Sequence, residues 1–300
     1  MKIFAPKYYL NFKCTASKCT HSCCIGWEID VDGEALQKYS SLKADYGTLI
    51  KQSISDLPTP HFKLQPNGRC PHLDGDGLCK IISNLGEEYL CNICKEHPRF
   101  YNQTSDCLEV GLGACCEEAC RIILTSDDYR TLVEIEDCED CACDCDFDPT
   151  PTRKEILDIL SEKSKSFKEK LEFLQNKFSV FTKSLTDNDW RGLLNSLEYM
   201  DSAHKKTFAG YSSDYAFSPD CIYLERALAY FVYRYVTKAQ SSDEIRQYLG
   251  LCLFLLSLLN YLLSVENATT LDKIINCLIA LSEEIEYNED NLEAILFEFI

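Results

Sequence analysis

Hydrophobic residues recur at helical spacing through the second half of the chain. From Cys221 to Tyr235 the apolar positions fall three and four residues apart, and Ser218-Pro219 supplies a cap and a proline at the first helical position. Ser241 and Glu244 form a capping box ahead of the next apolar run. Further helices are predicted over about 270–286 and 290–300. The pattern therefore predicts an α-helical bundle.

The run from Tyr248 to Val265 contains no charged residue and reaches the lower length limit of a transmembrane helix. Ser257, Asn260 and Ser264 would share one stripe of this helix, and Gly250 interrupts its start. A polar stripe favours a buried helix of the bundle over a membrane span. No membrane insertion is expected.

The helical pattern weakens in the first half, where sixteen of the 19 cysteines lie. Short helices are predicted over about 33–51 and 115–124, but residues 58–77 are rich in turn formers. We therefore predict a mainly α protein with an irregular, cysteine-rich, metal-binding domain over residues 1–148. An all-α domain is predicted over residues 152–300, its first helix opened by a capping box of Thr152 and Glu155.

Composition excludes several classes of function. With 46% hydrophobic residues the chain is not intrinsically disordered, and its net charge of −18 repels phosphates. Nucleic acids and anionic membranes are therefore not expected partners, whereas cationic lysine side chains are attracted. The first eleven residues show no signal or transit pattern, so a cytoplasmic location is expected.

The thiols favour metal ligation over disulfide bonds, because a cytosolic compartment keeps thiols reduced and the cysteine count is odd. Zinc and iron–sulfur clusters both take four thiolates, and spacing alone does not choose between them. A neighbouring Lys or Arg favours the thiolate form. Cysteines with such a neighbour are Cys14, Cys19, Cys70, Cys79, Cys94 and Cys120.

A separate group, Cys138, Cys141, Cys143 and Cys145, lies among carboxylates that disfavour thiolate formation. It is either a second, looser metal site or an acidic loop with incidental thiols.

The order of the cysteine blocks resembles the flagellin lysine-N-methylase family. The similar segments are Cys14–Asp30, Cys70–Cys79, Gly86–Arg99, Cys116–Arg121 and the helical Tyr230–Tyr235. The resemblance implies methyl transfer from S-adenosylmethionine to lysine ε-amines of flagellin, in a protein that carries a [4Fe–4S] cluster. The cysteines that match the family pattern, and so the implied metal ligands, are Cys14, Cys19, Cys23, Cys24, Cys70, Cys79, Cys94 and Cys116. Eight thiols exceed the needs of one cluster, so either two sites exist or some thiols are structural. The chain departs from the pattern at His97, where tyrosine is common, and at Glu117, where proline is expected.

The reaction needs a group that binds the lysine ammonium and releases its proton. Candidates for a general base or orienting group are Tyr8, Tyr9, Glu28, Asp30 and His97. Trp27 is a candidate for stacking on the adenine or sulfonium of the donor, although an aromatic beside a cysteine cluster is more often packing. Arg99 and Arg121 follow cysteine blocks and could grip a carboxylate or form surface salt bridges.

Two absences from the sequence constrain the mechanism. Gly111-Leu112-Gly113 lacks the third glycine of a nucleotide-binding fingerprint, which disfavours a Rossmann methyltransferase domain. The Cys-x3-Cys-x2-Cys spacing of radical enzymes is also missing, because Gly26 occupies the third position after Cys19 and Cys23. Three thiolates from the first cysteine block would leave one iron open for the donor, and this is our hypothesis for the cluster. The competing interpretation is a non-enzymatic zinc or iron–sulfur module that docks a partner or carries electrons.

Overall fold

The chain divides into two compact units. The computed structural model describes residues 2–43, 45–104, 107–137, 147–180, 185–215 and 222–300. Residues 13–99 form one unit, which we call the thiol-rich unit, and residues 1–12 with 100–300 form the other, the main unit. The division predicted at residues 148–152 thus falls inside the main unit, because the N-terminal strand pairs with strands from residues 107–137.

A four-stranded sheet in the order β4-β5-β1-β6 lies in the main unit, with the first residue of β4 at the junction of the two units. Its strands are β1 (Lys2–Pro6), β4 (Arg99–Gln103), β5 (Cys107–Leu112) and β6 (Leu132–Asp137). β1 runs parallel to β5, with Ile3 opposite Leu108, and antiparallel to β6. The sheet was not predicted, because its strands are short and mix polar with apolar residues, and because β1 pairs with strands more than a hundred positions away in sequence.

Helices make up most of the rest of the main unit. They are α5 (Glu117–Thr125), α6 (Thr150–Leu160), α7 (Phe167–Lys177), α8 (Asp187–Ser196), α9 (Ser202–Phe208), α10 (Ile222–Tyr235), α11 (Ser242–Val265), α12 (Leu271–Leu281) and α13 (Glu289–Leu296). A π-helical turn, Ser282–Glu286, follows α12. The predicted cap on α11 is confirmed, since the Ser241 side chain accepts from the Glu244 amide. The predicted box of Thr152 and Glu155 is wrong, because α6 already begins at Thr150 with prolines in its first turn. The predicted Ser218-Pro219 cap of α10 lies outside the described residues.

Helix α11 runs through the main hydrophobic core. Of the described helices it alone has the length and apolarity to cross a membrane, and 67% of its most apolar window is buried inside the protein. The polar stripe is used internally: the Ser257 hydroxyl lies 2.7 Å from that of Tyr211, and Asn260 donates to the Tyr215 carbonyl at 2.9 Å. This agrees with the predicted bundle helix.

The thiol-rich unit has its own smaller core. Its elements are α1 (Gly33–Ser41), α2 (Asp45–Ser53), the hairpin strands β2 (Ile54–Ser55) and β3 (His61–Phe62), α3 (Lys80–Leu85) and α4 (Asn92–Glu96). The single helix predicted over 33–51 is two helices, since α1 ends at Ser41 and its backbone becomes extended at Leu42. The remaining backbone is largely turns, as the sequence predicted. The protein as a whole is mainly α.

Candidate functional site

Five cysteines belong to the small core of the thiol-rich unit. Cys70 and Cys91 are buried in it, and three others pack against it half-buried. We call this group the thiol cluster; its members are Cys24, Cys70, Cys79, Cys91 and Cys94. They come from three segments of the chain, with Cys24 in the first, Cys70 and Cys79 in the second, and Cys91 and Cys94 in the third, so tertiary folding gathers the thiols.

Backbone hydrogen bonds hold these pieces together. The Cys70 amide donates to the Cys24 carbonyl at 2.8 Å, which joins the first cysteine block to the second. Within α4's first turn the Cys94 amide donates to the Cys91 carbonyl at 3.0 Å. Asp32 caps two helices at once, accepting from Ala35 in α1 at 3.0 Å and from Asn92 in α4 at 2.7 Å. A single carboxylate therefore sets α1 against the start of α4.

Burial controls the protonation of the cluster. It raises the pKa of Cys70 and of Cys91 to about 11, and it raises that of Cys79 and Cys94 as well. The neighbouring Lys and Arg residues do not offset this effect. The prediction that they favour the thiolate form is therefore wrong at Cys70, Cys79 and Cys94 when no metal is bound. Cys24 differs: a hydrogen bond from the Cys23 thiol, aided by Ser22 and Arg69, lowers its pKa to about 7. A bound metal cation would favour the thiolate at all five positions.

Hydroxyl groups line the core beside the thiols. The Tyr39 hydroxyl donates to the Tyr89 carbonyl at 2.6 Å and lies 3.5 Å from the Cys91 sulfur. His72 has both ring nitrogens occupied, Nδ1 by the Tyr46 hydroxyl at 3.0 Å and Nε2 by that of Ser53 at 2.9 Å. His72 is therefore a hydrogen-bonded core residue.

The predicted ligand set is brought together only in part. Cys24, Cys70, Cys79 and Cys94 join the thiol cluster, whereas Cys14 and Cys23 are exposed. The remaining predicted ligands, which are not in the cluster, are Cys19, whose thiol donates to the His21 carbonyl, and Cys116, which lies in the main unit. Across the described ranges, no three His, Cys, Asp or Glu side chains are grouped closely enough to hold a metal ion. The donors thus suit a thiolate-bound centre in type and number, but their present spacing does not enclose one. The group Cys138, Cys141, Cys143 and Cys145 lies outside the described residues.

Cys91 was not among the predicted ligands. It is fully buried, and its sulfur contacts Tyr39. A signal was present in the sequence, because Cys91 and Cys94 form a Cys-x2-Cys pair, a spacing typical of metal sites.

The predicted acid–base candidates occupy different environments. Tyr8 is buried in the main core, and burial raises the pKa of its phenol, so it stays protonated. Glu28 is exposed and lies 3.4 Å from His61, while Asp30 is exposed and forms a backbone bridge with the same residue. Tyr9 packs half-buried against the main core.

His97 combines burial with an unused nitrogen. Burial, together with the charge of Arg99, lowers the pKa of His97 to about 4, so its imidazole is neutral near pH 7. Its Nε2 atom is buried and has no hydrogen-bond partner in the described part of the chain. Of the five candidates, His97 is distinguished by a buried side-chain nitrogen that has no hydrogen-bond partner among the described residues.

The predicted cofactor contacts are less favourable. Arg121 lies among three carboxylates, at 3.6 Å from Glu117, 3.7 Å from Glu118 and 3.3 Å from Asp272. It therefore forms surface salt bridges, the alternative to a cofactor contact. Arg99 donates to the Lys95 carbonyl at 3.3 Å. Trp27 is half-buried in the thiol-rich unit.

Comparisons with known proteins give three similar sequences. A flagellar biosynthetic protein, FliU, of Salmonella muenchen is 31% identical over 136 residues, which are 43% of this chain and 80% of FliU. Two proteins named lysine-N-methylase, from Salmonella choleraesuis and Salmonella typhimurium, are each 29% identical over 140 residues. These matches cover 43% of this chain and only 34% of each lysine-N-methylase. No protein-family model and no solved structure matches the chain.

Proposed function

Since the chain belongs to the flagellin lysine-N-methylase family, we propose that it is a protein-lysine N-methyltransferase acting on flagellin with S-adenosylmethionine as the methyl donor. The similarity to FliU and to the two lysine-N-methylases carries this proposal. The unprotonated lysine ε-amine attacks the methyl carbon of the sulfonium. The nitrogen–carbon bond forms as the sulfur–carbon bond breaks, giving S-adenosylhomocysteine, and the excess proton on nitrogen passes to solvent.

The charge of the protein supports a cationic substrate. At pH 7 a lysine side chain is protonated, because its ordinary pKa is about 10.4. A protein of net charge −18 attracts such groups and raises their local concentration. Deprotonation must follow binding, so charge supports substrate capture and not the transfer step.

The thiol cluster would hold a [4Fe–4S] centre, with zinc as the alternative metal. Four thiolates are the usual ligand number for either metal, and the cluster supplies five thiols on three segments of the chain. A [4Fe–4S] centre held by three of them would offer an open iron for the amino-acid end of the donor, whereas four would make it structural. His97, three residues beyond Cys94, would contribute its Nε2 atom to hydrogen bonding in the same unit.

Anaerobic methylation tests the proposed activity. The purified chain is incubated with S-adenosylmethionine, a reductant and flagellin, and lysine peptides of flagellin are examined by mass spectrometry. Mass increases in multiples of one methyl group are expected, and they should disappear when S-adenosylhomocysteine is added in excess. Unmodified flagellin from protein that carries its full metal content would contradict the enzyme and favour the non-enzymatic module.

The ligand set is tested by comparing Cys91→Ser with Cys14→Ser. The first removes a buried member of the thiol cluster, while the second removes an exposed predicted ligand that lies outside the cluster. Loss of a ligand should weaken metal binding by about tenfold or more. We therefore expect iron and sulfide content to fall in Cys91→Ser and to stay unchanged in Cys14→Ser.

Circular dichroism of both variants provides the folding control. An equal loss of iron in the two variants would contradict the assignment to the thiol cluster. Loss in Cys14→Ser alone would favour the first cysteine block as the centre. Zinc in place of iron and sulfide, with the same dependence on Cys91, would keep the ligand assignment and change the metal.

A further inference from the structure

Two aromatic rings of the main unit leave no room for a side chain at Gly111 or Gly113. A Cβ atom at Gly111 would overlap the ring of Phe100, and one at Gly113 would overlap the Tyr287 hydroxyl and lie 2.8 Å from its Cζ. Neither glycine has a positive φ, so close approach and not backbone conformation excludes a side chain. The two glycines, which lack the third glycine of a nucleotide-binding fingerprint, therefore serve to pack against the rings of Phe100 and Tyr287.

The two rings enclose a buried arginine. The guanidinium carbon of Arg234 lies 4.9 Å from the Phe100 ring centre and 4.7 Å from that of Tyr287, within the range of cation–π attraction. The arginine Nη1 donates to the Tyr230 hydroxyl at 2.8 Å, and its Nε lies 3.6 Å from a Glu286 oxygen. Because the Glu286 side chain has no exposed surface, the opposite charges compensate each other where water cannot.

This network holds the backbone that leads into α5. The Ala114 amide donates to the Tyr230 hydroxyl at 3.1 Å, and the Ala114 carbonyl accepts from the Cys120 thiol at 2.8 Å. The next residue, Cys115, is buried, and its thiol is hydrogen-bonded to the Tyr287 hydroxyl. Cys116 then stands half-buried at the start of α5.

We propose that Gly113, Tyr230, Tyr287 and Arg234 form a positioning site for the adjacent thiols, which keeps Cys115 inside and presents Cys116 at the start of α5. Adjacent cysteines need such a device, because a small rotation of the backbone would exchange their environments. Tyr230 fixes the backbone from one side and Tyr287 fixes the Cys115 thiol from another. The inference concerns thiol presentation, and it holds whether or not the protein methylates flagellin.

Site-resolved alkylation of the full chain tests this arrangement. Iodoacetamide is added under reducing, anaerobic conditions, and modification at each cysteine is followed by mass spectrometry. In the wild type, Cys116 should react faster than Cys115. Gly113→Ala forces Tyr287 to move, so the rate at Cys115 should rise about tenfold and approach that of Cys116.

Two controls separate positioning from general destabilisation. Gly192→Ala adds the same methyl group at a position where no atom of the described residues lies within 4 Å, and it should leave both rates unchanged. Cys252, fully buried in α11, reports global opening and should stay unreactive in Gly113→Ala. Tyr287→Phe keeps the ring but removes the hydroxyl bonded to Cys115. The loss of that hydrogen bond frees the thiol but also disfavours its thiolate form, so the Cys115 rate should rise less than in Gly113→Ala.

The proposal fails if Cys115 is unaffected by both Gly113→Ala and Tyr287→Phe. It also fails if Cys252 becomes reactive to the same extent as Cys115, because the network would then support only overall stability. If Gly113→Ala does not fold, Tyr287→Phe decides the question by the ratio of the alkylation rate at Cys115 to that at Cys116.

Discussion

Replacing Arg153 by methionine would leave a buried carboxylate without its cation. The side chains of Arg153 and Glu109 are each 2% exposed and form a double hydrogen bond, with Nη2 to Oε1 at 2.7 Å, while Nη1 also reaches the Thr237 hydroxyl at 2.6 Å. Methionine keeps an apolar stem but removes every donor. Removing one partner of a buried pair costs about 3–5 kcal/mol, a large part of the roughly 5–15 kcal/mol that stabilises a domain.

Urea unfolding measures this loss in the main unit. The chain has two tryptophans, and Trp190 is the one in the main unit, stacked on Phe254 with ring centres 3.9 Å apart. In a Trp27→Phe background its fluorescence therefore follows that unit. With an m value of about 2.5 kcal/mol/M, Arg153→Met should lower the urea midpoint by about 1–2 M.

A second substitution distinguishes lost charge compensation from lost packing. Arg153→Met with Glu109→Leu removes both charges, and apolar replacement of a buried pair is often neutral. Most of the urea midpoint lost in Arg153→Met should therefore be recovered. Arg246→Met provides the control, because its pair with Asp243 is exposed and worth less than about 1 kcal/mol. The reasoning would be refuted if the double variant were no more stable than Arg153→Met. It would also be refuted if Arg153→Met lowered the urea midpoint no more than Arg246→Met does.

Two histidines should give opposite pH dependences. Burial lowers the pKa of His72 to about 4, so the folded thiol-rich unit should lose stability as pH falls from about 6.5, where the unfolded histidine protonates, towards 4. His72→Gln should reduce this dependence of stability on pH, measured by hydrogen exchange of amides in the thiol-rich unit. An unchanged pH dependence would contradict its assignment to His72. The hydrogen bond to Glu284 raises the pKa of His204, so its stabilisation should be complete below about 6.5 and be lost as pH rises through the folded value. The difference in urea midpoint between wild type and His204→Asn should therefore shrink from pH 5.5 to pH 9, and a constant difference would argue against a charged imidazole.

Local patterns predicted several helices of the second half, among them α10, α11, α12 and α13, because each carries its own signals. An apolar stripe and a capping side chain are contained within a few residues, as for Ser241 ahead of α11. Even the polar stripe of that helix was informative, since Ser257 and Asn260 bond within the protein. Helices whose evidence is local can be predicted without knowledge of the tertiary structure.

The sheet and part of the thiol cluster could not be predicted in this way. β1 is defined by pairing with β5, so nothing within Lys2–Pro6 reveals its partner. Flanking cations suggested thiolates at Cys70, Cys79 and Cys94, but burial, which the sequence does not display, outweighs a neighbouring charge.

The resemblance of Tyr230–Tyr235 to the family acquires a physical explanation from the polar atoms of α10. The Tyr233 hydroxyl donates to the Val110 carbonyl in β5 at 3.2 Å, and four residues further along β5 and its turn the Ala114 amide donates to Tyr230. One face of the helix therefore fixes both the strand and the turn that leads to the adjacent cysteines. Buried tyrosines need partners for their hydroxyl groups, and both tyrosines find backbone partners here, while Arg234 and Glu286 also bond to Tyr230. Two segments more than a hundred residues apart that each resembled the family are thus parts of one structural arrangement, and a change in either would be transmitted to the other.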